Sequence, residues 1–279
     1  MNDIPGSRRK LLAVIAVLVG LFLIAAVPFL VQTALERILN ELLIVIQDRP
    51  QFSSGITLFS LFYPLWRALA FVAGISLLVS APAIIKGEAW TLPVTLTAYA
   101  IPSIGGMFMF LPYISWVGGF PLPMVISLVG LAGFWCTLLM QSTDRLGKIV
   151  DFLVFTFIGM LSTHAFVIGI GAQRMLLTRV EKPLFAGLEW WILTLSGEVN
   201  WICVIMLIVS IPLLAMRKSS GWKLAFIAAL SILVIDVPTQ ILRTNTLDYL
   251  YGSLLATALL IFLSIPKFKA KLVKRDQSN

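Results

Sequence analysis

Asp236 is an acid within an apolar run, 13 residues beyond Lys223. On a helix rising about 1.5 Å per residue, that puts it roughly 20 Å from the lysine. An acid at such a depth costs about 2.5–3.5 kcal/mol on insertion scales, so it normally faces a bundle interior, a cavity or a partner. Pro238 follows, and with no N–H it leaves the carbonyl of Val234 without its helical donor. Thr239 and Gln240 add a hydroxyl and an amide. Carboxylate, free carbonyl, hydroxyl and amide on one broken helix make a proton or cation site. The structural alternative is a kinked helix whose acid is held by a neighbouring span.

His164, the single histidine, lies 16 residues beyond Lys148. That is about 24 Å along a helix, close to the height expected for Asp236. A histidine and an acid at one depth suit a proton relay or a pH-sensitive pair. The simpler role is a ring N–H donated to a backbone carbonyl across a helix contact. One histidine without an acid or thiol cluster does not make a zinc or haem site, so neither metal nor cofactor is expected.

A second helix break, Ala100-Ile101-Pro102-Ser103, precedes Gly105-Gly106. Paired interruptions in two halves of a membrane chain point to a transporter-like binding site. Proline and glycine also serve packing alone, and Ala100 stands where the other break carries Asp236.

Arg67 follows Tyr63 and Trp66 and precedes 18 uncharged residues, which reads as an interface anchor. An ion pair with Asp236 is the alternative use of Arg67. Phe185, Trp190 and Trp191, with Glu189, have the same interfacial composition. Asp151 sits within reach of Lys148 and Arg145 near a span end. Gly159, Gly169 and Gly171 suit close helix packing. Cys136 and Cys203 fall in apolar runs and read as small buried hydrophobes. No phosphate loop, dinucleotide fingerprint, nucleophile elbow or two-histidine motif occurs, so no catalytic residue is assigned and an enzyme is disfavoured.

The elements that must position these residues follow from composition. Of 279 residues, 59% are hydrophobic and 12% charged, with a mean hydropathy of +0.98. Soluble domains carry about a quarter charged residues. Apolar stretches of about 20 residues recur, and backbone groups in lipid must be paired internally, so helices are required. The net charge of +8 is divided among short loops and tails, without a basic, aromatic-interleaved face for nucleic acid.

The expected fold is all-α, a polytopic transmembrane helical bundle of eight spans, near 11–32, 64–85, 91–113, 122–141, 149–172, 200–216, 222–242 and 249–265. The first, after Arg8-Arg9-Lys10, is too long for a cleaved signal and reads as a retained anchor. With the N-terminus inside, 14 of the 21 basic residues fall on the inner side; Arg37, Arg49, Arg67, Arg174, Arg179, Lys182 and Arg243 fall outside. The positive-inside rule then puts both termini in the cytoplasm of a cell membrane. The basic tail, Lys267 to Arg275, would lie against an anionic inner leaflet.

Leu77-Leu78-Val79-Ser80-Ala81-Pro82 is matched 130 positions later by Leu207-Ile208-Val209-Ser210-Ile211-Pro212. A basic residue and a tryptophan follow each copy: Lys86 and Trp90, then Arg217 and Trp222. Beyond these, Ala100-Ile101-Pro102-Ser103 faces Asp236-Val237-Pro238-Thr239 after a gain of four residues over the offset of the two tryptophans. This pattern predicts a parallel four-plus-four internal repeat: 1–146 with an outer amphipathic helix, and 147–279 with the basic tail. That helix has Leu35, Ile38, Leu39, Leu42 and Ile46 at helical spacing and is expected to rest on headgroups.

Three classes of function remain. One is a small-solute or proton/cation-linked transporter or channel, favoured by the breaks and Asp236. Another is a non-catalytic subunit, assembly factor or sensor with protein partners in the membrane. The third is a membrane enzyme on a lipid-like substrate, with Asp236 or His164 as acid or base.

Overall fold

The computed structural model describes residues 4–141, 144–178, 187–244 and 246–273. Among these, the apolar runs form α1 (Gly6–Ala25), α2 (Val27–Asp48), a 3-10 turn (Pro50–Phe52), α3 (Ser53–Lys86), α4 (Thr91–Trp116) and α5 (Leu122–Gln141). They continue as α6 (Arg145–Thr178), α7 (Leu188–Ala215), α8 (Ser219–Leu242), α9 (Asp248–Ser264) and α10 (Pro266–Leu272). Six helices are long and apolar enough to cross a membrane, or up to eight if each of two bent pairs is one span. The chain is an integral, multi-pass membrane protein in contact with lipid.

Successive long helices run antiparallel. Gly20 of α1 meets Gly74 of α3 while Arg9 meets Gly87, and Gly106 and Gly130 bring α4 and α5 together at Ser127 and Ser103. Trp222 Nε1 donates to the carbonyl of Leu263 at 3.0 Å at one end of α8 and α9. At their other end, Gln240 Oε1 accepts from the N–H of Leu250 at 2.8 Å. Consequently Arg9, Lys86, Lys148, Arg217, Lys223 and Lys269 gather at one end of the bundle, here termed the basic end. One set of helices, α1, α3, α4 and α5, packs in that order with α5 also on α1; another, α6, α7, α8 and α9, packs in order with α9 also on α6.

The two sets meet along α3, α4, α6 and α7. Phe166 packs edge-on against Phe62, Trp66 and Phe108, with centroids 5.2, 5.4 and 4.7 Å apart. Phe62 also meets Trp201 at 5.7 Å. Gly105 leaves room for the Trp66 indole and Gly169 for the Trp201 indole: a Cβ at either position would collide with the ring.

Several expectations change. The chain bends by 43° between α1 and α2, just before Pro28, which lacks the N–H needed to continue the ladder. The amphipathic helix is therefore the continuation of the first span. It does not rest on headgroups: Val31, Ala34, Leu35, Ile38 and Leu42 are buried against the bundle. Trp66 is no interface anchor either, because it lies on the face of α3 turned toward Gly105 and is buried. Arg67 is half-buried, donates to Gln32 Oε1 at 2.7 Å and makes no pair with Asp236. Trp191 is exposed, whereas half-buried Trp190 packs on a small cluster with Leu193 and Tyr249. Both tryptophans belong to α7, which starts twelve residues before the expected span. Gly159 and Gly171 have open space rather than a packed neighbour.

At the basic end Asp151 is buried and pairs with neither Lys148 nor Arg145. Arg217 closes on it with two hydrogen bonds of 2.6 Å, one to each oxygen. The tail turns by 82° into α10. There Lys271 pairs with Asp144 at 2.7 Å and Lys269 sits 3.7 Å over the Trp222 ring. The Lys271 ammonium holds the exposed Asp144 carboxyl below the usual range. Arg179, Lys182, Phe185, Lys274 and Arg275 lie outside the described residues.

Candidate functional site

Asp236 points into the second set of helices and is fully buried. Its neighbours come from α7, α9 and α6. Ser196 and Asn200 stand one helical turn apart on α7, so both side chains reach the same level. Asn200 Nδ2 donates to Asp236 Oδ1 at 2.9 Å, and Ser196 Oγ donates to the same oxygen at 3.2 Å. Asn200 Nδ2 is steadied by the carbonyl of Ser196, also at 2.9 Å. The other carboxyl oxygen, Oδ2, has no hydrogen-bond partner, and neither has Asn200 Oδ1.

Gly252 of α9 makes this arrangement possible. A Cβ there would overlap Asp236 Oδ2 and lie 3.2 Å from His164 Nε2. The acid and the imidazole therefore flank one glycine, at the common height expected from their distances to Lys223 and Lys148. His164 Nε2 is 2.8 Å from the carbonyl of Asp248. A carbonyl only accepts, so Nε2 carries the proton. The histidine makes the helix-to-carbonyl contact set out as the simpler role, and it also stands beside the acid.

From His164 a cavity of about 490 Å³ opens toward the end of the bundle opposite the basic one. Arg174, Arg243, Asp248, Tyr249 and Thr246 line it together with aromatic side chains from α3 and α4. Asp236 itself does not line it. Of the two groups that flank Gly252, His164 alone lines the cavity.

The remaining sequence candidates lie elsewhere. Thr239 is buried, with its hydroxyl donating to the carbonyl of Ile235 at 2.7 Å. Gln240 Nε2 donates to the carbonyls of Arg243 and Thr246 at 3.1 and 2.7 Å, and so stitches the turn between α8 and α9. Neither side chain binds Asp236. Pro238 remains within α8. Ser103 donates to the carbonyl of Tyr99 at 2.7 Å, and its own carbonyl accepts from Ser127 at 2.8 Å. Pro102 is buried beside it. Ser103 lines a separate groove of about 230 Å³ between α4, α5 and α6. The expected helix breaks are not there: α4 and α8 run on through Pro102 and Pro238. Ser103 and Asp236 share none of the cavities described, and among the described residues no group of three metal-ligating side chains occurs.

Sequence reasoning missed Ser196, Asn200 and Gly252. Starting the sixth span at residue 200 left Ser196 in a loop, although a serine and an asparagine four apart on a longer helix share one face. Gly252 carried no signal by itself, since its role depends on which helix it meets. No known family matches this chain, and neither a curated protein nor a solved structure is similar to it.

Proposed function

We propose that this protein is a proton-linked carrier of the cell membrane in which Asp236 is the group that takes up and releases the proton. The observation that carries the reading is Asp236 Oδ2, buried and without a partner, beside His164 at the floor of the cavity. A buried carboxylate without a counter-charge is costly, and among the described residues no lysine or arginine pairs with it. A proton removes that cost. Crowding favours a proton over a metal cation, because Gly252 and His164 already occupy the space next to Oδ2. His164 is the group through which the cavity exchanges protons with the acid.

The basic end is assigned to the cytoplasm by the positive-inside rule, which puts the cavity on the outer side and both termini inside. We also propose the duplication, on the strength of the turns between α3 and α4 and between α7 and α8. Gly87 and Arg217, 130 residues apart, both adopt left-handed backbone with φ of 81° and 59°. The N–H of Glu88 bonds the carbonyl of Ala83 at 3.0 Å, and Lys218 bonds Leu213 at 2.9 Å. Leu77, Ser80, Ala81 and Ile84 are buried in one copy, and Leu207, Ser210, Ile211 and Leu214 in the other. Keeping the 130-residue offset through equal turns aligns Asp236 with Gly106 rather than with Ala100. Gly106 packs on Ser127 in the first set as Asp236 packs on Gly252 in the second. The acid and its space are thus features of one copy.

The enzyme reading has less support, since the lipid-facing groove at Ser103 does not reach the carboxyl group. To test the proposal, the full chain is reconstituted in liposomes holding a pH-sensitive dye, and proton flux is measured under a pH gradient. Infrared difference spectra between acid and alkaline samples follow the carboxylic C=O band. Asp236→Asn is expected to abolish both the flux and one carboxyl band. Flux and spectra unchanged in that variant would overturn the assignment.

A further inference from the structure

Ser196 and Asn200 turn one side of α7 toward Asp236, and both are buried. Glu198 lies midway between them in sequence, and residues two apart on a helix point to opposite sides. It is accordingly exposed on the outer surface of the bundle, at the level of Asp236. No described residue forms a hydrogen bond or ion pair with it, and it lines none of the described cavities. Other charges carried on the long apolar helices are held: Asp236 by Asn200 and Ser196, Asp151 by Arg217, and Arg67 by Gln32.

The apolar surface continues past Glu198 in both directions. Glu198 stands 19 residues before Arg217, which is about 28 Å from the basic end, and Trp191 is about 10 Å farther along α7. On α8, Val237 and Ile241 are exposed just beyond Asp236 and carry that surface past the same level. An acid at such a depth is costly in lipid and ordinarily faces a cavity or a partner.

The face around Glu198 has the form of a helix seam. From Trp191 to the end of α7 the exposed residues are Trp191, Glu198, Ile202, Ile205 and Val209. Their spacings of seven, four, three and four are the repeat along which two helices pack side by side, with half-buried Leu195 at the intervening position. A single polar residue in such a seam sets partner and register. Its carboxylate calls for a cation. Among the described bases of this chain, Arg67 is at a matching distance from the basic end, 19 residues before Lys86, and it is already engaged by Gln32. A second copy therefore offers no free base at this height.

We infer that the exposed seam of α7 docks a transmembrane helix of another protein, one that carries a lysine or arginine paired with Glu198. Trp191, Ile202, Ile205 and Val209 pack along that helix on either side of the ion pair. The inference stands apart from the proton-linked reading, because Glu198 points away from Asp236.

The test uses the full chain in phosphatidylcholine nanodiscs with the photoreactive residue p-benzoylphenylalanine in place of Ile202. The probe is a synthetic leucine–alanine transmembrane helix of about 21 residues. It carries one lysine at the level of Glu198, and two controls carry leucine or aspartate there. Crosslinking to the lysine helix should exceed that to the leucine helix by about fivefold to tenfold, as expected for a polar pair in lipid. Glu198→Leu should abolish the preference, and Glu198→Lys should transfer it to the aspartate helix. The same photoreactive residue in place of Ile241 on α8 should show no preference. Equal crosslinking of the lysine and leucine helices, a preference that survives Glu198→Leu, or the same preference at position 241 would overturn the inference. It would also be overturned by crosslinking of the chain to a second copy that disappears in Glu198→Leu, or by loss of the lysine preference when phosphatidylethanolamine is added. Those results would make the occupant this chain itself or a lipid amine.

Discussion

Gly252 backs onto the unpartnered oxygen of Asp236, close enough that a methyl group on its Cα would overlap Oδ2 and press on the His164 ring. Gly252→Ala should therefore push α9 away from α8. Overpacking of this kind costs about 1–3 kcal/mol. Its measure is a lower unfolding temperature of the purified full chain, together with loss of the Asp236 carboxyl band shape. Gly159→Ala on α6, where open space surrounds the glycine, serves as the comparison and should be close to neutral.

Asn200 provides the shorter of the two hydrogen bonds to Asp236 Oδ1. Asn200→Leu, similar in volume, removes that donor and leaves the Ser196 hydroxyl alone. Hydrogen bonds to charged groups are worth about 1.5–3 kcal/mol, so the alkaline form should be destabilised by about that much. The acid form should lose less. Unfolding curves at two pH values check the difference, and equal losses in both would contradict the role given to Asn200.

Trp66 fits into the bundle because Gly105 has no side chain. Gly105→Ala collides with the fused ring system rather than with a flexible chain end. A loss of about 2–3 kcal/mol is expected, at the upper end for overpacking. Trp66→Phe in the same chain should recover part of it, which a double-mutant cycle on unfolding temperature would read.

Arg217 combines left-handed backbone with a two-pronged pair to buried Asp151. Arg217→Ala keeps the unfavourable backbone for a non-glycine residue and strands the carboxylate, which costs about 3 kcal/mol or more when a buried partner is removed. Arg217→Gly relieves the backbone, and Gly87 holds the matching position in the other turn, so this variant should fall between alanine and wild type. Adding Asp151→Asn should bring both variants nearer to wild type.

The orientation has its own check. In intact cells, a membrane-impermeant thiol reagent should modify Ser115→Cys from outside. It should not modify Ser219→Cys at the basic end. The reverse pattern would invert the proposed topology.

Much of the architecture was legible in the chain. Long apolar runs can cross lipid only as helices, because every backbone polar group must be paired within the segment. Charges spaced along those runs put His164 and Asp236 at one height, since rise per residue is fixed by helix geometry. Each Leu-x-Val-Ser-x-Pro segment precedes a left-handed cap, at Gly87 and at Arg217. What the chain did not disclose is rotation and partnership. Whether a residue on a helix meets lipid, a cavity or another helix depends on which faces pack, and in an all-round apolar helix no periodicity reveals the face. Trp66 was thus misplaced at an interface, and Gln240 was credited to a site it does not touch. Tertiary packing alone decided that Asp151 pairs with Arg217. Packing also set Asn200 and Gly252 against Asp236 and kept Pro102 and Pro238, each inside an unbroken helix, apart.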